Sequence, residues 1–150
     1  MKAKMDKEEV TTTQVDSRWF IDADWFQQNK RSLSGLIQNY LCPRCRKRLG
    51  QNASVPIPKL MATIKNCCAN TPEFVAPRLP ILENIFRLFL ANGNQPLGIA
   101  ELSQQLRERL GDTYRTSPEI ISRLLRRDQY YGLRPVTDQP VFPETATKSN

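Results

Sequence analysis

The segment TSPEIISRLLRR, residues 116–127, carries the sharpest local signal in the chain. Thr116-Ser117-Pro118-Glu119 matches a T-x-x-E capping box, with proline in the first turn, where its missing N–H costs nothing. A helix is therefore predicted from this point to about Arg127. Ile120, Ile121, Leu124 and Leu125 recur at helical spacing and define its buried side. The 100-degree step per residue then sends Glu119, Ser122, Arg123 and Arg126 to the opposite side, with Arg127 at the margin.

Upstream, two further helices are expected. After Pro80, Ile81, Leu82, Ile85, Phe86, Leu88 and Phe89 share one broad face, and Ala91-Asn92-Gly93-Asn94 is a strong stop. Gln95-Pro96-Leu97-Gly98 leads into the second, in which Ile99, Leu102, Leu106 and Leu110 form a narrow apolar stripe that ends at Gly111-Asp112. Downstream, Tyr130-Tyr131-Gly132-Leu133-Arg134-Pro135-Val136 reads as a strand or small hairpin. The resulting order is helix, helix, helix, strand.

The proline-marked stretch from Thr71 to Pro80 is the expected boundary with an earlier region. Four parts follow: a flexible tail over 1–17, a basic cysteine-containing module over 18–76, the helical part over 77–137, and a second tail over 138–150. Within the module, Asp22 or Asp24 can cap a short helix carrying Trp25 and Phe26, and Ser32 or Ser34 opens another with Leu33, Leu36, Ile37 and Tyr40. Proline at position 43 disfavours helix in the residue before it, so this second helix stops at Cys42. Residues 59–65 form a further helix that runs into Cys67-Cys68. The fold class expected is mainly α with a small β component, a zinc-stapled N-terminal module preceding the three helices. Whether the two regions share one core does not follow from the pattern.

Cys42-Pro43-Arg44-Cys45 reads as a C-P-x-C loop, in which a tight turn brings two thiolates to one point and backbone N–H groups stabilise their charge. Arg44, Arg46, Lys47 and Arg48 favour the thiolate form. Adjacent side chains on a helix diverge by about 100 degrees, so Cys67 and Cys68 can reach one ion only if the helix ends there and the backbone turns. Three arrangements stay open: four cysteines on one structural zinc, three with an outside ligand, or metal-free buried thiols. The first is expected. A redox role is disfavoured because thioredoxin-type pairs open a helix, whereas this pair follows one.

Composition narrows the function. Leu, Ile, Val and Phe make up 37 of the 150 residues, enough for a core. With no histidine, a Ser-His-Asp triad, an imidazole general base and an H-E-x-x-H zinc site are all excluded. No glycine-rich phosphate loop or defensible carboxylate pair is present, so no enzyme and no small-molecule substrate are expected. Neither a secretory h-region nor a membrane-spanning run is evident, which places the expected site of action in the cytoplasm, away from membranes, where thiols stay reduced. The 22 Lys and Arg exceed the 15 Asp and Glu, for a net charge of +7, and residues 25–72 hold 8 basic groups and no acidic one. A surface built for solubility alone usually mixes both signs, so a polyanionic partner is favoured.

Two resemblances sharpen this. The C-P-x-C pair resembles the first half of a zinc ribbon or treble-clef finger over residues 42–50, although Arg46 stands where those families often carry glycine and no second C-x-x-C follows. Residues 80–137, about 40% of the chain, resemble a winged helix-turn-helix domain. That resemblance implies that the third helix enters a DNA groove and the following strands contact the backbone. Base or phosphate contacts would then fall to Ser122, Arg123 and Arg126, with Arg115 and Thr116 near a phosphate at the helix start and Arg134 in the wing. Together with Arg44, Arg46, Lys47 and Arg48, these residues are the expected nucleic-acid surface. The expected function is a small nucleic-acid-binding protein of the DNA-binding regulatory type, with RNA as a second possible polymer. A protein-interaction adaptor, anchored by Trp19, Phe20, Trp25 and Phe26, is the alternative.

Overall fold

Three side chains close the open N-termini of short helices. Asp22 Oδ1 accepts the Asp24 N–H at 3.0 Å, Ser32 Oγ that of Gly35 at 3.0 Å, and Ser117 Oγ that of Ile120 at 3.3 Å. In the computed structural model, which describes residues 17–49, 55–111, 114 and 116–136, these caps start α1 (Ala23–Gln28), α2 (Leu33–Gln38) and α7 (Pro118–Arg127). Between them lie α3 (Pro43–Leu49), α4 (Ile57–Asn66), 3-10 turns at Cys68–Asn70 and Pro72–Phe74, α5 (Ile81–Ala91) and α6 (Ile99–Leu110). Strands β1 (Arg18–Ile21), β2 (Leu97–Gly98) and β3 (Leu133–Pro135) complete the described fold. It is mainly helical with a small antiparallel sheet, as expected.

The sheet joins the two regions. Its order is β2-β1-β3, so the strand nearest the N-terminus lies in the middle. Trp19 stands opposite Leu97 on one side and Pro135 on the other, and Ile21 opposite Leu133. The strand expected over 130–136 is therefore present as β3, but its partner is β1; among the described residues no hairpin follows it. Ile21, Phe26, Ile37, Leu60 and Ile64 belong to the same buried apolar cluster as Phe86, Phe89, Leu102, Ile121 and Leu133. One core thus spans both regions.

A buried amide marks the passage between them. Asn84 on α5 is fully buried, accepts the Ala76 N–H at 3.2 Å and donates to the Ala76 carbonyl at 2.9 Å. Its Nδ2 also donates to the Tyr114 hydroxyl at 2.9 Å, which passes a hydrogen bond to the Leu79 carbonyl at 3.0 Å. The irregular, proline-rich segment before α5 is satisfied by this side chain where no helix or sheet ladder is available.

Two details differ from expectation. Ser117 rather than Thr116 caps α7, and Thr116 is buried with its carbonyl accepting the Ser103 hydroxyl. The buried arc of α7 is centred on Ile121, Ser122 and Leu125, while Ile120 and Leu124 are half-buried. Because α7 packs against α6, α5 and β3 together, the arc turns toward Ser122, a side chain small enough to permit close approach. Of the expected tails, 1–16 and 138–150 lie outside the described residues, as does Arg115.

Candidate metal centre and basic helix face

The C-P-x-C pair lies elsewhere in the secondary structure than its spacing suggested. α2 ends at Gln38, a turn follows, and Cys42 then stands immediately before Pro43, the first residue of α3. The Cys42 carbonyl accepts the Arg46 N–H at 2.9 Å, so the pair opens a helix instead of forming a free loop. Proline favours this: it is pre-set for a first helical turn while holding the preceding residue extended. The helix-position objection to thiol chemistry is thereby removed.

The second pair meets the condition the sequence imposed. α4 stops at Asn66, and Cys67 leaves helical geometry with φ −136° and ψ −66° before Cys68 begins a 3-10 turn. The break lets two consecutive side chains converge. All four Sγ atoms lie within 4.8 Å of one another, and Cys42 Sγ is 4.0 Å from Cys67 Sγ. A tetrahedral four-thiolate site with metal–sulfur bonds of about 2.3 Å has sulfur–sulfur edges of about 3.8 Å, so the four donors need only small adjustments to hold one ion.

Electrostatics around the cluster favour a cation at its centre. The Cys45 backbone N–H, first among several donors, draws the Cys42 thiol down to about 7, below its ordinary value of 9.0. Burial instead pushes Cys45 up to about 12 and raises Cys68 as well. Four thiolates cannot be anionic together at this spacing without a positive charge among them. Outside the cluster, the Cys42 N–H donates to Cys68 Sγ at 3.1 Å, Arg44 Nη2 to Cys67 Sγ at 3.2 Å and Arg48 Nη2 to Cys45 Sγ at 3.5 Å. Cys45 and Cys68 are buried, whereas Cys42 and Cys67 are half-buried.

This arrangement redistributes the expected basic patch. Arg44 and Arg48 turn toward sulfur, and Arg46 donates to the carbonyls of Asn39 and Leu41 at 3.3 and 3.2 Å, closing the end of α2. Lys47 is exposed. On α7, Arg123, Arg126 and Arg127 are exposed together with Glu119, and no described residue forms an ion pair with these arginines. Ser122 and Thr116 are buried and absent from that face. Arg134, expected to reach outward, donates to the carbonyls of Leu133 and Asp128 and lies 3.9 Å from Asp128 Oδ2. Its guanidinium also covers the Trp25 ring, 5.0 Å from the centroid. Tying it inward satisfies a turn that would otherwise hold free carbonyls.

The aromatic segment expected as a partner anchor is largely interior: Trp19 and Phe26 are buried, and Phe20 and Trp25 are half-buried. Sequence reasoning overlooked a different constellation, in which Arg31 meets Tyr130 across 99 positions of chain. Its only local trace is a pair of tyrosines just past a helix end. No helix among the described residues is long and apolar enough to cross a membrane. Comparison with protein-family models, with curated proteins and with solved structures found no match.

Proposed function

We propose that the protein binds nucleic acid, in the manner of a DNA-binding regulator, through the arginine-bearing face of α7, and that a single structural zinc ion held by Cys42, Cys45, Cys67 and Cys68 staples the neighbouring fold. The observation that carries the binding reading is the exposure of Arg123, Arg126 and Arg127 on one helix without a carboxylate partner among the described residues. Position near the C-terminal end of the helix dipole stabilises such side chains, but three arginines exceed what the last turn requires. The surplus of +7 on the whole chain supplies the longer-range attraction for a polyanion. The order helix, helix, helix, strand over α5, α6, α7 and β3 supports the winged helix-turn-helix reading, while the strand beside β3 is β1 and no hairpin follows it among the described residues.

Zinc suits the donor set because four sulfurs and no oxygen or imidazole favour a soft to borderline cation in a tetrahedral site. Such a site has no open position for substrate, and the ion supplies cross-linking alone. Four thiolates leave it two net negative charges, which Arg44 and Arg48 offset from its rim.

The experiment is a salt-dependent titration of a labelled DNA duplex by fluorescence anisotropy. Three phosphates neutralised by α7 give a slope of log affinity against log salt near −3, steeper if other cations join. Arg123→Ala with Arg126→Ala should flatten it by about 2. A salt-independent signal, or a double variant that binds as the parent does, rejects the reading.

A further inference from the structure

Tyr130 is the one large apolar side chain that stands exposed among the described residues, at 52%. A single exposed tyrosine is ordinary in itself. This one is held with unusual completeness. Asp128, which ends α7, is 3% exposed and folds the following turn around its carboxylate. Oδ1 accepts the N–H groups of Tyr130 and Tyr131, both at 3.0 Å, and Oδ2 accepts that of Leu133 at 2.9 Å.

The ring is fixed as firmly as its backbone. The Arg31 guanidinium lies over it, 4.2 Å from the centroid, while Arg31 Nη1 donates to the Tyr130 carbonyl at 2.7 Å. Tyr131 meets Tyr130 edge-on at 4.8 Å, with the planes at 82°. Arg31 also sits 5.6 Å from both Trp25 and Phe26, and no described carboxylate pairs with it. The result is an aromatic ring overlain by a cation and in T-shaped contact with a second ring, with half of the residue open to solvent. Little rotamer freedom remains to be lost when a flat partner covers it. Arg126 and Arg127 stand four and three positions earlier, at the end of α7.

A flat ring joined to negative charge matches this surface: the ring stacks on Tyr130 and the charge meets Arg31 and the α7 arginines. An acidic protein partner would meet the charges without needing the rigid ring. We propose that Tyr130, backed by Arg31, stacks an unpaired nucleobase, so that the polymer bound by the α7 face includes a single-stranded stretch. This rests on the nucleic-acid reading of α7 and adds to it the class of polymer, because a base inside a duplex does not offer its face.

The test titrates the full chain with a labelled single strand of about 12 nucleotides and with the duplex of the same sequence, at one fixed salt concentration. The parent protein should bind the single strand at least about 5-fold more tightly. Tyr130→Ala should weaken single-strand binding by about 5- to 100-fold and leave duplex binding within about twofold, whereas Tyr130→Phe should keep the parent preference. Parallel thermal melts establish that the variants are folded, as expected for an exposed position. In the parent chain, a photoreactive halogenated uracil in the single strand should cross-link at Tyr130. Tighter duplex binding, an unchanged Tyr130→Ala affinity or a cross-link elsewhere overturns stacking while α7 binding stands. Failure of both polymers to bind overturns the α7 reading as well.

Discussion

Asn94 holds both backbone polar groups of Ile21 with one side-chain amide. Its Oδ1 accepts the Ile21 N–H at 2.8 Å, and its Nδ2 donates to the Ile21 carbonyl at 2.9 Å. Strand β2 ends its pairing at Trp19, so beyond that point the amide replaces a neighbouring strand along the edge of β1. Asn94 itself adopts φ +61°, a left-handed conformation that asparagine tolerates better than most residues.

Replacing Asn94 removes two separable contributions. Asn94→Ala loses both hydrogen bonds and strains the backbone, and should cost about 2–4 kcal/mol in urea unfolding. Asn94→Gly keeps the backbone relaxed and should fall between the parent and the alanine variant. An alanine variant as stable as the parent would show that β1 does not need the clamp.

Gly132 admits no side chain. It has φ +65°, and a Cβ there would lie 2.2 Å from Cε1 of Phe26 and 2.8 Å from its Cδ1. Phe26 is buried in the core and cannot retreat cheaply. Gly132→Ala is expected to destabilise the fold by about 2–4 kcal/mol. Adding Phe26→Leu should recover part of that loss, a coupling measurable as a double-mutant cycle.

Metal analysis of protein purified under reducing conditions should find one zinc per chain, and Cys45→Ser or Cys68→Ser should abolish it. α3 packs only lightly on other elements, whereas the remaining core spans both regions. Chelation should therefore raise amide exchange in α3 well before the rest of the fold responds. Zinc below a few tenths of an equivalent, or uniform protection after chelation, counts against the staple.

Burial raises the hydroxyl pKa of Tyr40, and those of Tyr114 and Tyr131 are raised by the same cause. In the unfolded chain these groups ionise near 10, while the native state retains their protons to higher pH. The native state then binds more protons, so the stabilisation is complete below pH 10 and declines as pH rises beyond it. Circular dichroism should register alkaline unfolding above pH ~10, and Tyr40→Phe should shift its midpoint upward. Tyr40 stacks near Phe86 and under Arg87, contacts that phenylalanine retains.

The limits of local information are visible at particular positions. Pro80, the Asn92-Gly93 stop, Gly111 and the Ser117-Pro118 cap delimit α5, α6 and α7, and each acts through backbone geometry within one turn. Arg18–Ile21 carries no such punctuation. Four residues with two adjacent aromatics become a strand only because segments about 79 and 115 positions later supply hydrogen bonds to both edges. The rotation of α7 that buries Ser122 likewise depends on three neighbours packing at once. Arg134 turns inward because Asp128 and Trp25 are there to receive it.

At the cysteines the division is clearest. Residue types and spacing alone determined that four thiols, accompanied by cations and by no histidine, were available for a metal. Pro43 sets the helix start after Cys42 locally, whereas tertiary structure decided that the chain breaks at Cys67 and that the two pairs converge. Helix periods and caps are set within a few residues, whereas convergence of distant side chains depends on how the elements pack, and that is settled only by burial of the common core.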